Sequence, residues 1–165
     1  MTPTTAALTL RKATLEDGPF LLKVRNEDDV RLQSKNQEVI SATTHEQWLT
    51  HNLGDAGSAI WIIERQQEKI GYIRAKKLED PRESGKWLLS IALEASSRGR
   101  GYGTWAITEA CRLLQTDYRA DTIVAEVKSQ NSVSLRLFQK TGFIMAANVA
   151  EQSKELSWLE LSLRK

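Results

Sequence analysis

Glycine recurs at alternate positions in Arg98-Gly99-Arg100-Gly101-Tyr102-Gly103, directly after an apolar run and directly before a segment of helical spacing. Residues without a Cβ let successive backbone N–H groups turn toward one point, and the dipole of the following helix adds positive potential there. Such a turn favours an anion such as a pyrophosphate. Arg98 and Arg100 add formal charge to the same loop. The plainer alternative is a strand-to-helix turn carrying two solvated arginines. Two other phosphate patterns do not fit. The dinucleotide fingerprint G-x-G-x-x-G, counted from Gly99, ends on Thr104, and no Gly-Lys-Ser or Gly-Lys-Thr closes a Walker loop.

The elements that must position this loop follow from hydrophobic periodicity. Thr9 to Ala13 reads as a first strand, and Thr14 as the N-cap of a helix running to about Asn26. From Asn26 to Ile40 the chain is polar and charged, with no regular period. Thr44-His45-Glu46-Gln47-Trp48 opens a helix that ends near Gly54. Ala59 to Glu64 and Ile70 to Arg74 read as the arms of a hairpin around a polar turn at Gln66 to Lys69. After a break from Pro81 to Gly85, Trp87 to Leu93 is a nearly continuous apolar strand of the kind found at the centre of a sheet. Gly103 to Gln115 carries Trp105, Ala106, Ala110, Leu113 and Leu114 at helical spacing, and Thr122 to Val127 is again a strand. The glycine loop therefore lies inside a strand-helix-strand unit. A capped helix from Asn131 to about Thr141 is closed by Gly142. Phe143 to Val149 and Glu155 to Leu163 alternate like a last hairpin, with Phe143 read as core.

A chain of 165 residues with 41% hydrophobic and 27% charged residues fits one folded domain, spanning 1–165, that needs no disulfide or metal to hold its core. The net charge of +2 is too small to announce nucleic acid as a partner, which argues against an RNA-binding domain built on Arg98, Arg100, Arg136, Arg164 and Lys165. No apolar run approaches the ~20 residues that span a bilayer, and Met1 to Leu8 lacks the charged and apolar regions of a signal peptide, so a cytoplasmic location without membrane contact is expected. Cys111, the lone cysteine, lies within a helical segment and reads as a small buried filler rather than a nucleophile.

Arg98, Gly101 and Gly103 after an apolar strand resemble the R/Q-x-x-G-x-G/A motif of the GNAT acetyltransferase superfamily. Downstream, Asn131-Ser132-Val133-Ser134 and Leu137-Phe138-Gln139-Lys140-Thr141-Gly142-Phe143 are similar to that family's N-x-x-A/S-x-x-L-Y-x-K-x-G-F segment. The resemblance implies an α+β fold: a central mixed, mostly antiparallel sheet of six to seven strands, its central strands splayed, flanked by about four helices. It implies acetyl-coenzyme A as co-substrate and no metal. The pantetheine arm would lie in the splay and pair with backbone near Ile91 and Leu93. The loop of Arg98, Gly99, Arg100, Gly101, Tyr102, Gly103 and Thr104 would hold the pyrophosphate, and Asn131, Ser134 and Phe138 would line the pantetheine. Asn131 reads equally as a helix N-cap.

Acetyl transfer to an amine needs an uncharged nucleophile held beside the thioester carbonyl. Glu126, between Ala125 and Val127 on a strand, is the first choice of base, directly or through water, against a solvated strand carboxylate. Ser90 could hold such a water or be a satisfied core hydroxyl. The sequence departs from the family pattern at Phe138, where a tyrosine acid is usual, and at Leu88-Leu89, where an acid is often seen. A thiol with a pKa of about 8.5 can leave without a dedicated acid.

Arg25-Asn26-Glu27-Asp28-Asp29-Val30-Arg31 and His45-Glu46-Gln47-Trp48-Leu49 resemble the pattern of GNAT enzymes that acetylate amino-sugar nucleotides, as in pseudaminic acid synthesis. This implies a small-molecule amine acceptor, with Arg25, Asn26, Arg31, His45, Trp48 and Arg74 on its side of the site. His45 also fits a capping or solvent-facing role, and Trp48 an apolar anchor. Acetylation of protein N-termini or polyamines is the alternative within the superfamily, and a non-catalytic coenzyme A sensor the alternative outside catalysis. A homodimer is left open.

Overall fold

The computed structural model describes residues 7–79, 85–146 and 155–163. Positions 81–84 of the expected break, 147–149 of the last hairpin, the cations at 164 and 165, and most of the N-terminal stretch lie outside them. The strands are β1 (Leu8–Lys12), β2 (Ser58–Arg65), β3 (Glu68–Lys77), β4 (Lys86–Leu93), β5 (Thr122–Lys128), β6 (Ile144–Met145) and β7 (Leu156–Ser162). They form one seven-stranded sheet in the order β1-β2-β3-β4-β5-β7-β6. All pairings are antiparallel except that of β4 with β5, which joins the two halves. This is the mixed, mostly antiparallel sheet expected.

The helices are α1 (Gly18–Arg25), α2 (Asp28–Leu32), α3 (Ala42–Leu53), α4 (Tyr102–Asp117) and α5 (Ser132–Lys140), one more than the four or so expected. The additional one, α2, falls where no period could be read. It is a short turn with Asp28 and Asp29 at its positive end and no buried side chain. The first expected helix is also divided. Thr14 caps a 3-10 turn over Leu15–Asp17, and α1 starts afresh with Pro19 in its first turn.

Alternation along the strands sends apolar side chains to both faces. Ile73 and Ala75 of β3, Trp87 and Leu89 of β4, and Ile123, Ala125 and Val127 of β5 pack beneath α4 and α5. The buried stripe of α4, with Ala106, Ile107, Ala110, Cys111 and Leu114, completes that core. Burial pushes the Cys111 thiol up to about 12, so it stays protonated and serves as a filler. On the other face Ile60, Ile62 and Tyr72 meet Leu21 and Val24 of α1 and Leu49 of α3. No described helix is long and apolar enough to cross a membrane.

Two features of the frame have measurable consequences. The Asp17 side chain is buried, and its carboxylate accepts both Nη groups of Arg11 at 2.8 and 2.9 Å, the Thr14 N–H at 2.8 Å and Lys69 at 2.7 Å. Foremost the Arg11 hydrogen bonds hold this carboxyl well below the usual range. A folded value depressed below the unfolded ~3.9 adds stability above about pH 4, which is lost as the pH falls further. Asp17→Asn should therefore cost about 2 kcal/mol at pH 7, allowing for solvent around Arg11 and Lys69. Melting of both proteins from pH 7 down to 2 should show the difference shrinking below pH 4.

The second feature is the β2–β3 turn, where Gln66 and Gln67 both adopt positive φ, 52° and 69°, with Arg65 facing Glu68. This is the two-residue hairpin turn that usually carries Asn-Gly. Gln67→Gly should relieve the left-handed strain and raise stability by about 0.5–1 kcal/mol in a denaturant titration.

Candidate active site

The parallel pairing of β4 with β5 covers only Lys86–Leu88 against Thr122–Val124, although both strands continue. Lys86 accepts from the Leu78 N–H and the Glu94 N–H donates to Ile70, both toward the β3 side. Alternate residues of a strand direct their N–H and C=O to the same edge. Leu88, Ser90 and Ala92 therefore face β3, and Leu89, Ile91 and Leu93 turn their backbone groups toward the opening. Among the described residues nothing on β5 pairs with Ile91 or Leu93. The central strands are splayed, and a row of backbone donors and acceptors lines the splay.

At the wide end of β4 the chain passes a 3-10 turn, Ala95–Ser97, and enters the glycine loop. Gly99 and Gly101 have φ of 73° and 83°, a conformation that only glycine adopts freely, and Gly101 is the N-cap of α4. The N–H groups of Tyr102, Gly103 and Thr104 then have no intrahelical acceptor. A Cβ on Gly103 would lie 3.1 Å from Leu137 and 3.5 Å from Leu93, so its absence lets the start of α4 approach α5 and β4 closely.

Arg98 folds back onto the Leu93 carbonyl, with Nε at 3.1 Å and Nη2 at 2.9 Å, and pairs with Asp29 and Glu27 around the start of α2. Its hydrogen bond holds the Asp29 carboxyl below the ordinary range. Arg98 is thus a strut between loop and α2. Arg100 reaches the Ser96 carbonyl, and Arg65 lies over the Tyr102 ring at 5.7 Å. Arg65 and Arg100 share a depression of about 210 Å³ beside the loop. Arg65 went unremarked in the sequence because it arrives from the end of a distant hairpin, and no local pattern marks it.

Asn131 caps α5, its Oδ1 accepting the Ser134 N–H at 3.1 Å. Ser134 is half-buried, and Phe138 is buried with its ring edge-on to Phe143 at 5.1 Å.

Ser90 and Glu126 project from the sheet face that carries α1 and α3, since their neighbours Leu89, Ile91, Ala125 and Val127 pack on the other face. The register pairs Leu88 with Val124, so Ser90 and Glu126 each lie two residues further, at one level of the splay. Ser90 is exposed, whereas the Glu126 side chain is 10% exposed and its Oε1 lies 2.9 Å from Lys35 Nζ. Lys128 Nζ also reaches across, donating to the Leu32 carbonyl at 2.5 Å. The polar segment after α2 thus hangs over β5.

The same face holds a cavity of about 250 Å³ bordered by Arg25, Asn36, Ile40, His45, Trp48, Tyr72 and Arg74, among others. Arg74 stands directly opposite Ser90 in the β3–β4 register and lies over the Trp48 ring at 4.6 Å. His45 is buried, its ring 5.4 Å from Trp48, and burial first, then Arg74 and Arg25, lower its pKa. Asn26 and Arg31 do not border this cavity. Asn26 exchanges two 2.9 Å hydrogen bonds with the Ile40 backbone. Arg31 binds the Asn26 and Gln37 carbonyls and pairs with Asp28. Both residues tie down the segment that roofs the site. Among the described residues no cluster of His, Cys, Asp and Glu offers a metal site.

Residues 7–144 match the family described as the acetyltransferase (GNAT) domain. No curated protein matches the chain significantly. Among solved structures the chain is similar to a ribosomal-protein-alanine N-acetyltransferase from Brucella melitensis, with 21% identity, a TM-score of 0.79, and coverage of 94% of this chain and 99% of that one. It is also similar to a spermidine N-acetyltransferase from Vibrio cholerae in complex with CoA and spermine, at 16% identity and a TM-score of 0.83 over 95% and 96% of the two chains. A third likeness is to AAC(6')-Ib in complex with ribostamycin and coenzyme A, at 21% identity and a TM-score of 0.81 over 95% and 94%.

Proposed function

The chain belongs to the GNAT acetyltransferase family and is an acetyl-CoA-dependent N-acetyltransferase, and from that premise we propose that it acetylates a primary amine by direct attack in a ternary complex. The observation that carries this reading is the splay itself, which has an anion cradle at one end and a shielded carboxylate on its wall. The residues present fit the co-substrate: free N–H groups at the start of α4 suit a pyrophosphate, and the backbone edge from Ile91 to Leu93, which β5 leaves unpaired and on which Arg98 takes only the Leu93 carbonyl, suits an amide-bearing arm. When bound, acetyl-CoA supplies the acyl group and a thiolate leaving group. Arg98 holds the loop against β4, and Asn131 fixes the start of α5. Glu126 takes the proton of the attacking amine, directly or through a water held by Ser90, while Lys35 can yield its place to the acceptor because its side chain is 73% exposed.

The acceptor we propose is the primary amine of a nucleotide-linked amino sugar, in the cytoplasm. The pattern spanning Arg25 to Arg31 and His45 to Leu49 supports it, as does the convergence of Arg25, His45, Trp48 and Arg74 on one cavity beside Ser90. Solved neighbours were captured with spermine or ribostamycin, so the discriminating experiment offers this chain acetyl-CoA with 4-amino sugar nucleotides, peptides, polyamines and aminoglycosides, with mass detection of product. Acetylated sugar nucleotide is the expected product. Efficient turnover of peptides or polyamines, with none on sugar nucleotides, replaces this acceptor with the polyamine or N-terminal one.

A further inference from the structure

The cavity between α1, α3 and β3 carries two arginines and, among the described residues, no carboxylate on its border. Arg25 gives Nη2 to the Asn36 carbonyl at 2.6 Å, while its Nη1 is buried with no acceptor. Among the described residues Arg74 has no ion pair; its guanidinium is covered by Trp48 on one side. Burial first, then Arg74 and Arg25, lower the His45 pKa, and burial is the foremost cause that lowers that of Arg74. Two half-buried cations bordering one cavity, with no counter-charge among the described residues, are a costly arrangement that an anion would relieve.

We propose that this cavity is an anion subsite of the acceptor pocket, built to hold a fully ionised phosphate or carboxylate on the molecule whose amine is acetylated. The proposal rests on the acceptor site described above and names the charge its substrate must carry. At about 250 Å³ the cavity is smaller than the ~300–1,000 Å³ that drug-sized ligands fill, so it takes the acidic group and its near neighbours, with the remainder extending along the sheet. Arg74 is on β3 and Glu126 on β5, two strands apart with the β4–β5 gap splayed at this level, which sets more than ~10 Å between the acidic group and the reacting nitrogen. Trp48, already covered by Arg74, backs the cation rather than offering a free face to a sugar. Polycations such as spermidine meet two like charges here and are rejected.

The test keeps binding apart from turnover. With coenzyme A saturating, so that the glycine loop is filled, the protein is titrated with inorganic pyrophosphate and, separately, with glutarate, and the imidazole signals of the two histidines are followed by NMR, His51→Gln giving the assignment. Binding of either anion should raise the His45 titration midpoint by cancelling the field of the arginines. The stronger of the two anions identifies phosphate or carboxylate as the group bound. Arg74→Gln and Arg25→Lys, each checked for folding by circular dichroism, should weaken that binding about tenfold or more. Spermidine should neither bind there nor compete. The subsite is overturned if neither anion moves His45, or if both arginine variants that fold bind as the parent does. Anion binding without acetylation of any amine would leave the subsite standing and remove the proposed reaction instead.

Discussion

Gly101→Asp should abolish the stabilisation that acetyl-CoA confers while leaving the protein folded. At a concentration about 100 times its dissociation constant the co-substrate adds roughly 2.7 kcal/mol to the parent, or about 5–10 °C in melting temperature for a domain of this size. Gly101 is the N-cap of α4 with φ of 83°. Aspartate there is strained by roughly 1 kcal/mol, but it tolerates the left-handed region better than most residues and is a good N-cap, so the two effects nearly offset. The consequence for ligand is one-sided. The new carboxylate takes the N–H groups of Tyr102, Gly103 and Thr104 for itself and repels a second anion. A thermal melt of parent and variant, with and without acetyl-CoA, reads both effects. If the variant shifts as much as the parent, the pyrophosphate is held elsewhere.

That loop was legible because its chemistry is local: glycines, a preceding apolar strand and a following helix lie within a short stretch. The strands were legible for the same reason, since alternating burial writes a period of two into β7 and burial on both faces writes a continuous apolar run into β2. What escaped was non-local or poorly patterned. Helix α2 buries no side chain, so it leaves no apolar stripe to find. The break between the turn at Leu15–Asp17 and α1 depends on Asp17 meeting Arg11 from β1 and Lys69 from β3, contacts no window of sequence contains.

The arginines show the limit most clearly. Arg25, Arg31, Arg65, Arg74 and Arg98 are alike as letters, yet one borders a cavity with a bare Nη1, one ties down a loop, one lies over Tyr102, one is backed by Trp48 and one braces α2. Charge can be counted in a sequence, but its compensation cannot, because counter-charges come from elements distant along the chain. The pairing of Lys35 with Glu126 is of this kind, and it bears directly on how the base can be tested.

Glu126→Gln should lower the maximal rate by roughly a hundredfold, which is about 2.7 kcal/mol of transition-state stabilisation. Glutamine keeps the shape and the hydrogen-bonding oxygen but cannot accept a proton, so the side chain should remain in its largely buried place with the fold undisturbed. Michaelis constants for acetyl-CoA should hardly change, because the cradle lies at the other end of the splay. The competing explanation is that Glu126 merely anchors Lys35 and the segment over β5. Lys35→Met separates the two: an anchoring role predicts the same loss in both variants, whereas a proton-accepting role predicts that Lys35→Met retains most of the rate. A Glu126→Gln enzyme with the parent's rate would end the assignment and leave positioning alone to account for catalysis.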